Sequence, residues 1–144
     1  MAKQTFVADI SWSGDRVRSS ARIRGHEVTI DEPAVLGGTD LGPNPVELVL
    51  AALGGCLNVL ITSLAPHHGV EVRGVEIRVE GDLDPDGFQE KQPNVRPGFQ
   101  EIRYQVHVES PSAPERVREL LAHVERVCPV KDTLRGVPTR AVES

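Results

Sequence analysis

An apolar stretch between residues 45 and 65 dominates the hydrophobic pattern of the chain. In a helix it would be apolar on every side, and such a helix must be covered by protein or by lipid. Its apolar members are Leu48, Val49, Leu50, Ala51, Ala52, Leu53, Leu57, Val59, Leu60, Ile61 and Leu64. Asn58, Thr62 and Ser63 interrupt the run, which is shorter than the roughly 18 to 20 residues needed to cross a bilayer. The pattern therefore predicts a helix that the rest of the chain encloses, and no membrane-spanning segment.

The start of this helix has a capping pattern. Asn44 suits the N-cap, Pro45 suits the first helical position, and Glu47 stands three residues after the cap. In such a capping box, two side chains satisfy backbone N–H groups that the first turn leaves without partners. The sequence therefore predicts a helix from Pro45 to about Ala65.

Before the helix, hydrophobicity alternates with a period of two, which is typical of strands with one covered face. Residues 5–12 place Phe6, Ala8, Ile10 and Trp12 on one side, so a half-buried strand is predicted there. Two further alternating segments follow, 16–24 and 27–31. A turn-forming glycine precedes each of them, Gly14 the first and Gly25 the second. The pattern predicts an antiparallel meander of three strands.

After the helix, a strand is predicted over residues 70–80, with a slip in its alternation at Gly74 that suggests a bulge or a bend. Residues 84–98 are polar and rich in Pro and Gly, which indicates a mobile connection to a partner strand over 101–108. A last strand is predicted over 137–142. The fold class is therefore α+β, with antiparallel strands and two main helices.

The second helix is amphipathic and leads to the second cysteine. Ser112 and Glu115 have the spacing of another capping box, and apolar residues recur at helical spacing up to Val127. Cys128 continues the apolar face, and Pro129 pushes the preceding residue out of helical geometry. Cys128 is thus predicted at the end of a helix, against the core.

Composition narrows the class of protein. A chain of 144 residues is the size of one domain with a real core. The net charge of −5 and the few aromatic residues argue against a nucleic-acid surface. The N-terminus lacks an apolar secretory core, so a cytoplasmic location is expected. In that reducing compartment, two cysteines favour catalytic or redox use over a permanent disulfide.

Four segments, two of them around the cysteines, resemble the OsmC/Ohr family of peroxide-reducing proteins. The matching segments are Gly37-Gly38-Thr39-Asp40, Gly42-Pro43-Asn44-Pro45-Val46-Glu47-Leu48, Ala51-Ala52-Leu53-Gly54-Gly55-Cys56 and Cys128-Pro129-Val130. The resemblance covers nearly the whole chain and implies a single OsmC-like domain over 1–144. It implies antiparallel sheets wrapped around the long buried helix, in an intertwined homodimer. It also implies a thiol peroxidase for organic hydroperoxides that uses no metal or other cofactor.

By this resemblance, Cys56 is the peroxidatic cysteine and Cys128 the resolving one. A thiolate that attacks a peroxide becomes a sulfenic acid, and a second thiol converts it to a disulfide. A dithiol reductant, such as a protein-bound lipoyl group, would then restore both thiols. The alternative is that both cysteines are merely small buried hydrophobes, as free cysteines often are.

An arginine is the natural partner for the attacking thiolate, because it stays charged and favours the anion. Arg16, Arg18, Arg22 and Arg24 are predicted on one strand face, where any of them could instead face solvent. Arg16, just after the Gly14-Asp15 turn, is the nearest positional match to the arginine of the family's peroxidase branch.

The carboxylate partner departs from the family pattern. In the peroxidase branch, a glutamate directly follows the proline that starts the helix, whereas this chain has Val46 there and Glu47 one position later. One residue turns a helical side chain by roughly 100 degrees, so Glu47 is either catalytic or only the cap partner of Asn44. The departure supports a competing hypothesis, in which the fold binds a small apolar ligand beside Cys56 without strong peroxidase activity.

The histidines do not have the spacing of a metal site. His67 and His68 are adjacent, so their side chains point apart, and neither belongs to a known metal-binding spacing. They are interpreted as basic residues near a helix C-terminus. His123 stands alone in sequence, so no histidine is predicted to act with a cysteine.

Overall fold

The computed structural model describes residues 2–143. The chain divides into two compact units, the first ending at Val49 and the second beginning at Leu50. The expectation of a single domain over 1–144 stays a prediction.

The first unit contains the predicted three-stranded meander. Strands β1 (Asp9–Trp12), β2 (Ser19–Ile23) and β3 (His26–Ile30) form an antiparallel sheet in the order β1-β2-β3. Ile10 lies opposite Ala21, which in turn lies opposite Val28. Since directly opposed residues share a face, these three form an apolar row across the sheet.

The prediction that the first strand is half-buried is wrong for the single chain. β1 begins only at Asp9, and all four of its residues are exposed: Ile10 retains 59% of its accessible surface and Trp12 70%. Alternation predicted which face of the sheet is apolar. It could not predict what covers that face.

A buried carboxylate organises the loop between β3 and the long helix. Asp31 accepts hydrogen bonds from the Thr39 hydroxyl and from the backbone N–H groups of Glu32, Thr39 and Leu41. The Thr39 hydroxyl is the main reason that the pKa of Asp31 lies well below its usual range. Gly38 is required nearby, because a Cβ there would stand 1.9 Å from the Glu32 carbonyl oxygen.

Helix α1 (Pro45–Leu64) agrees with the predicted bounds within one residue, and a short 3-10 helix, Ala65–His68, follows it. The capping box is confirmed: Asn44 Oδ1 accepts from the Glu47 N–H, and Glu47 Oε1 accepts from the Asn44 N–H, both at 2.9 Å. Of the apolar residues of α1, only Leu53, Leu57 and Ile61 are fully buried in the chain by itself.

By length and composition alone, residues 45–68 could cross a membrane, because an 18-residue window within them has a mean hydropathy of 2.1. Only 22% of the stretch that meets this criterion is buried within the single chain. The interruptions at Asn58, Thr62 and Ser63 therefore do not bring the segment below the threshold for a membrane helix, contrary to the sequence prediction. A core helix of a soluble protein, which other parts of the protein enclose, meets the same criterion.

The second unit is a three-stranded sheet in the order β4-β5-β6 with helices against it. β4 (Gly74–Leu83) pairs antiparallel with β5 (Phe99–Glu109), and β6 (Thr139–Ala141) runs parallel to β5. The helices are α1, α2 (Pro85–Phe88), α3 (Pro114–Val127) and α4 (Pro129–Thr133). The fold class is α+β, as predicted.

The core of this unit joins one face of α1 to β5 and α3. Leu57 and Ile61 from α1 cluster with Ile102 from β5 and with Leu120 and Val124 from α3, all 1% exposed or less. Removing an aliphatic side chain from such a site costs roughly 2–5 kcal/mol, so this cluster fixes the position of α1 relative to α3.

In this unit the predicted strand start at residue 70, the bulge at Gly74 and the second capping box are wrong, whereas the chain does bend at Arg73, just before Gly74. β4 begins at Gly74, and its register shift falls at Asp82/Leu83, where the strand leaves for the 84–98 connection. The second capping box does not form, because Ala113 is the N-cap of α3 and has no side-chain acceptor. Ser112 Oγ instead accepts from the Glu71 N–H at 2.9 Å, a contact between segments far apart in sequence.

Candidate active site

The two cysteines meet in the second unit. Cys56 stands in the middle of α1 and is half-buried, whereas Cys128 is 2% exposed. Both are free thiols, and their Sγ atoms lie 3.0 Å apart. Residues 72 positions apart in sequence are thus within hydrogen-bond distance, and a small movement would allow a disulfide.

The bend in the chain at Cys128 results from the proline that follows. Cys128 ends α3 in an extended conformation, with φ −67° and ψ 112°, and it is also the N-cap of α4. Pro129 takes the first position of α4, where its missing N–H costs nothing. The predicted place of Cys128, at a helix end and against the core, is confirmed.

Backbone amides of α4 point at both sulfur atoms. The Lys131 N–H donates to Cys128 Sγ at 3.4 Å, and the Val130 N–H interacts with Cys56. Burial, reinforced by the neighbouring Cys128, raises the pKa of the Cys56 thiol, and the Val130 amide partly opposes this rise. A site with these groups alone keeps Cys56 largely protonated near neutral pH, so a thiolate there needs a further positive charge.

A tyrosine on the sheet holds the last turn of α3. The buried Tyr104 hydroxyl donates to Glu125 Oε1 at 2.6 Å, and the Lys131 ammonium lies 6.0 Å from the Tyr104 ring centroid. Burial and the Glu125 carboxylate together raise the pKa of Tyr104 well above its usual range, so the phenol remains a donor. Sequence reasoning missed this contact, because only the folded chain brings β5 beside α3.

The four candidate arginines do not share a strand face. Only Arg22 lies within β2, opposite Glu27, as expected for a residue on a polar sheet face. Arg24 lies in the turn after β2, with a positive φ of 51°. Arg16 and Arg18 precede β2, in the segment after the Gly14 turn. The prediction of a common face is wrong because the strand is shorter than the alternation suggested.

Arg16 and Arg18 both donate to the loop that Asp31 organises. Arg16 Nη1 donates to the Gly38 carbonyl oxygen at 3.1 Å, and Arg18 Nη1 donates to Thr39 Oγ1 at 2.8 Å. Arg16 itself has a positive φ of 49°, and its carbonyl oxygen accepts from Trp12 Nε1 at 2.9 Å. Within the first unit, the two guanidinium groups are therefore held in place, and the catalytic role of Arg16 stays a prediction.

Glu47 has one clear structural role. Its two reciprocal hydrogen bonds with Asn44 are those of a helix cap, and its side chain is exposed. A catalytic role for Glu47 stays a prediction. Val46, in the position of the family's acid, is an exposed apolar side chain.

One histidine pair was not predicted. His68 Nε2 and His123 Nδ1 lie 2.9 Å apart, which links the end of the 3-10 helix to α3. Their separation of 55 residues gave no sequence signal. Among residues 2–143, no group of three or more His, Cys, Asp or Glu side chains could hold a metal ion.

Comparison with known proteins identifies the family. The sequence model described as OsmC-like protein matches residues 38–142, well over half of the chain. This chain belongs to the OsmC-like protein family. No curated protein matches the chain.

Solved structures with the same fold cover the OsmC-like protein almost completely. An OsmC-like protein from Mycoplasma pneumoniae superposes with a TM-score of 0.86 at 18% identity, over 99% of this chain and 98% of the other. An organic hydroperoxide resistance protein OsmC from Legionella pneumophila gives 0.72 at 21%, over 100% and 99%. An organic hydroperoxide resistance protein from Elizabethkingia anophelis gives 0.67 at 16%, over 99% of each chain. At these identities the likeness shows the fold.

Proposed function

We propose that this OsmC-like protein reduces organic hydroperoxides, with Cys56 as the attacking cysteine and Cys128 as the resolving one. The observation that carries the proposal is the 3.0 Å between the two Sγ atoms, in a family that includes organic hydroperoxide resistance proteins. A pair of buried structural cysteines has no need of such proximity, whereas sulfenate resolution requires it.

The proposed reaction has three steps. The Cys56 thiolate attacks the O–O bond, takes one oxygen as a sulfenic acid and expels an alkoxide, which is protonated to the alcohol. The Cys128 thiol then attacks the Cys56 sulfur, so that water leaves and a Cys56–Cys128 disulfide forms. A dithiol reductant, such as a lipoyl group on a carrier protein, restores both thiols by thiol–disulfide exchange.

Activation of Cys56 requires a positive charge, because burial and the neighbouring Cys128 raise the pKa of its thiol. We assign this role to Arg16, whose guanidinium is permanently charged and already held by the Gly38 carbonyl oxygen. The Val130 N–H assists by hydrogen bonding to the thiolate.

The proposal is tested by mixing the reduced protein with one equivalent of an alkyl hydroperoxide. Stopped-flow measurement should show thiol loss far faster than for free cysteine, and peptide mapping should find a Cys56–Cys128 disulfide. Thiol loss at the rate of free cysteine would contradict the proposal.

Glu47→Gln separates the two roles of Glu47. Glutamine retains the hydrogen bonds of a capping box, so the free energy of unfolding should change by less than about 0.5 kcal/mol, whereas Asn44→Ala should cost about 1 kcal/mol. We expect hydroperoxide consumption by Glu47→Gln to equal that of the wild type, because the side chain serves the cap. A stable Glu47→Gln variant with much slower consumption would instead make Glu47 catalytic.

We also propose that the working form is a homodimer. Ile10 in the apolar row of the first unit and Val59 on the outer side of α1 are open in the single chain, at 59% and 61% exposed. Large exposed apolar faces indicate a protein partner. A second copy of the chain would cover both faces, and a soluble dimer of this kind fits the expected cytoplasmic location.

A second candidate function is the binding of a small apolar ligand. A cavity of about 360 Å³ in the second unit is lined mainly by aliphatic side chains, among them Leu57, Ile61, Val106 and Leu121. Neither cysteine lines this cavity, although Leu57 directly follows Cys56. Together with Val46 in place of the family's acid, the cavity supports this candidate, which predicts slow thiol oxidation and saturable binding of an apolar probe.

A further inference from the structure

Tyr104 contacts the chain on both sides of Cys128. Its hydroxyl donates to Glu125 Oε1 at 2.6 Å, three residues before the cysteine. The Lys131 ammonium, three residues after the cysteine, lies 6.0 Å from the Tyr104 ring centroid. A cation at this distance is attracted to the face of an aromatic ring. The bend between α3 and α4 therefore has a contact with Tyr104 on each of its two arms.

Tyr104 is itself held firmly by the sheet and the core. It belongs to β5, the central strand of the second unit's sheet, and it is 2% exposed. Burial and Glu125 are the main causes that raise the pKa of Tyr104, and Cys128 adds to the rise, as expected of a close neighbour. Tyr104 thus connects the fixed position of the sheet to the bend that carries Cys128.

The end of α3 lacks one of the usual means of fixing a helix terminus. After many helices, the N–H groups of the next residues donate to the last carbonyl oxygens of the helix. Pro129 directly follows Cys128 and has no N–H, so it makes no such bond. A hydroxyl that donates to a carboxylate forms one of the stronger hydrogen bonds in proteins. The Tyr104–Glu125 bond therefore secures a turn that the backbone leaves less constrained.

The position of Cys128 matters for one step of the proposed reaction and not for the other. Attack on the hydroperoxide uses the sulfur of Cys56, which α1 carries. Disulfide formation requires Cys128 Sγ to close from 3.0 Å to about 2.05 Å from Cys56 Sγ. A misplacement of about 1 Å lowers the rate of such a step by as much as about 100-fold.

We propose that Tyr104 is a positioning residue for disulfide formation: by holding Glu125, it keeps Cys128 Sγ aimed at Cys56 Sγ. The inference rests on the proposed function, because it concerns the second step of that reaction. In this step Cys128 Sγ bonds to Cys56 Sγ, the S–O bond of the sulfenic acid breaks, and the leaving hydroxide takes the thiol proton as water. Tyr104 exchanges no proton or electron with either sulfur, so the attack on hydroperoxide does not depend on its hydroxyl.

Tyr104→Phe isolates the hydroxyl, because phenylalanine keeps the ring in the core and beside Lys131. After mixing with one equivalent of an alkyl hydroperoxide, hydroperoxide loss should stay within about twofold of the wild-type rate. Disulfide formation, followed by acid quench and peptide mapping, should slow about tenfold, and a dimedone adduct on Cys56 should accumulate. Disulfide formation at the wild-type rate would overturn the proposal.

Glu125 supplies the second half of a double-mutant cycle. Glu125→Leu removes the acceptor and should slow disulfide formation as much as Tyr104→Phe does, and the variant with both changes should be no slower than either. Glu125→Gln keeps an acceptor oxygen, so its rate should stay within about threefold of the wild type. Fully additive effects would show that the two side chains act separately, contrary to the proposal.

Ser112→Ala is the matched control at the other end of α3. Ser112 Oγ accepts from the Glu71 N–H, so this change also removes one hydrogen bond between the α3 region and the rest of the second unit. Disulfide formation in Ser112→Ala should keep the wild-type rate, because that bond lies at the end of α3 away from Cys128. Equal slowing in Ser112→Ala and Tyr104→Phe would indicate a general loss of stability and overturn the proposal.

The positioning of Cys128 is also measurable without hydroperoxide. Dithiobis(nitrobenzoate) should react first with Cys56, which is more exposed than Cys128, and the mixed disulfide is then attacked by Cys128 with release of a second thionitrobenzoate. In Tyr104→Phe the first release should be unchanged and the second about tenfold slower. An unchanged second release would overturn the proposal. A protein that gives the slower second release but does not react with hydroperoxide would contradict the proposed function and leave the positioning role of Tyr104 in place.

Discussion

Replacement of Cys56 by serine should abolish hydroperoxide reduction, with a fall in rate of more than about 1000-fold. A serine hydroxyl stays protonated in this buried site and does not attack the O–O bond. The change replaces one sulfur atom by oxygen at a half-buried position, so folding should be unaffected. Stopped-flow mixing with an alkyl hydroperoxide measures the rate, and circular dichroism checks the fold.

Cys128→Ser is the matched control for this prediction. The variant keeps the attacking thiol, so it should consume about one equivalent of hydroperoxide rapidly and then stop at a sulfenic acid on Cys56. A dimedone adduct on Cys56 would identify that intermediate. Unchanged kinetics in Cys56→Ser, or a burst that disappears only in Cys128→Ser, would contradict the assigned roles.

Replacement of Val59 by glutamate should convert the proposed dimer into monomers. Val59 is exposed in the single chain, so the charge costs little there, but burying it against a second copy costs several kilocalories per mole. Dimer association should weaken at least about 100-fold. Sedimentation velocity over a range of protein concentrations measures the change.

Val127→Glu makes the same substitution at another exposed valine, on α3 rather than α1. The Val127→Glu dimer should dissociate over the same range of protein concentrations as the wild-type dimer. A Val59→Glu variant that still sediments as the wild type does would contradict the role of α1 in the interface. Helical circular dichroism retained in both variants would show that association, and not folding, is being measured.

Local chemistry allowed much of the fold to be predicted. The cap of α1 was predictable because Asn44, Pro45 and Glu47 act on the turn that they begin. The place of Cys128 was predictable because proline restricts the residue before it. In contrast, the second capping box failed because a distant N–H, that of Glu71, bonds Ser112 instead. No sequence pattern around Ser112 indicates that the Glu71 N–H will donate to its hydroxyl.

The candidate site likewise has residues that the sequence could predict and contacts that it could not. The two cysteines could be selected from sequence because their spacing to Pro45 and to Pro129 is distinctive. The Tyr104–Glu125 hydrogen bond and the amides of Val130 and Lys131 could not be, because they depend on how β5 and α4 approach α3. The exposed Ile10 and Trp12 show a further limit, since alternation describes a face and not its cover.

The double role of Cys128 connects sulfur oxidation to backbone order. The same residue ends α3 and caps α4 through its Sγ, which accepts the Lys131 N–H. Disulfide formation draws Cys128 Sγ from 3.0 Å to about 2.05 Å from Cys56 Sγ. Oxidation therefore displaces the acceptor of a hydrogen bond that is already 3.4 Å long, which weakens the cap while the disulfide bond ties the bend to α1. The first turn of α4 should therefore open to solvent more often in the oxidised protein, and deuterium uptake at Lys131 would report the redox state of the site.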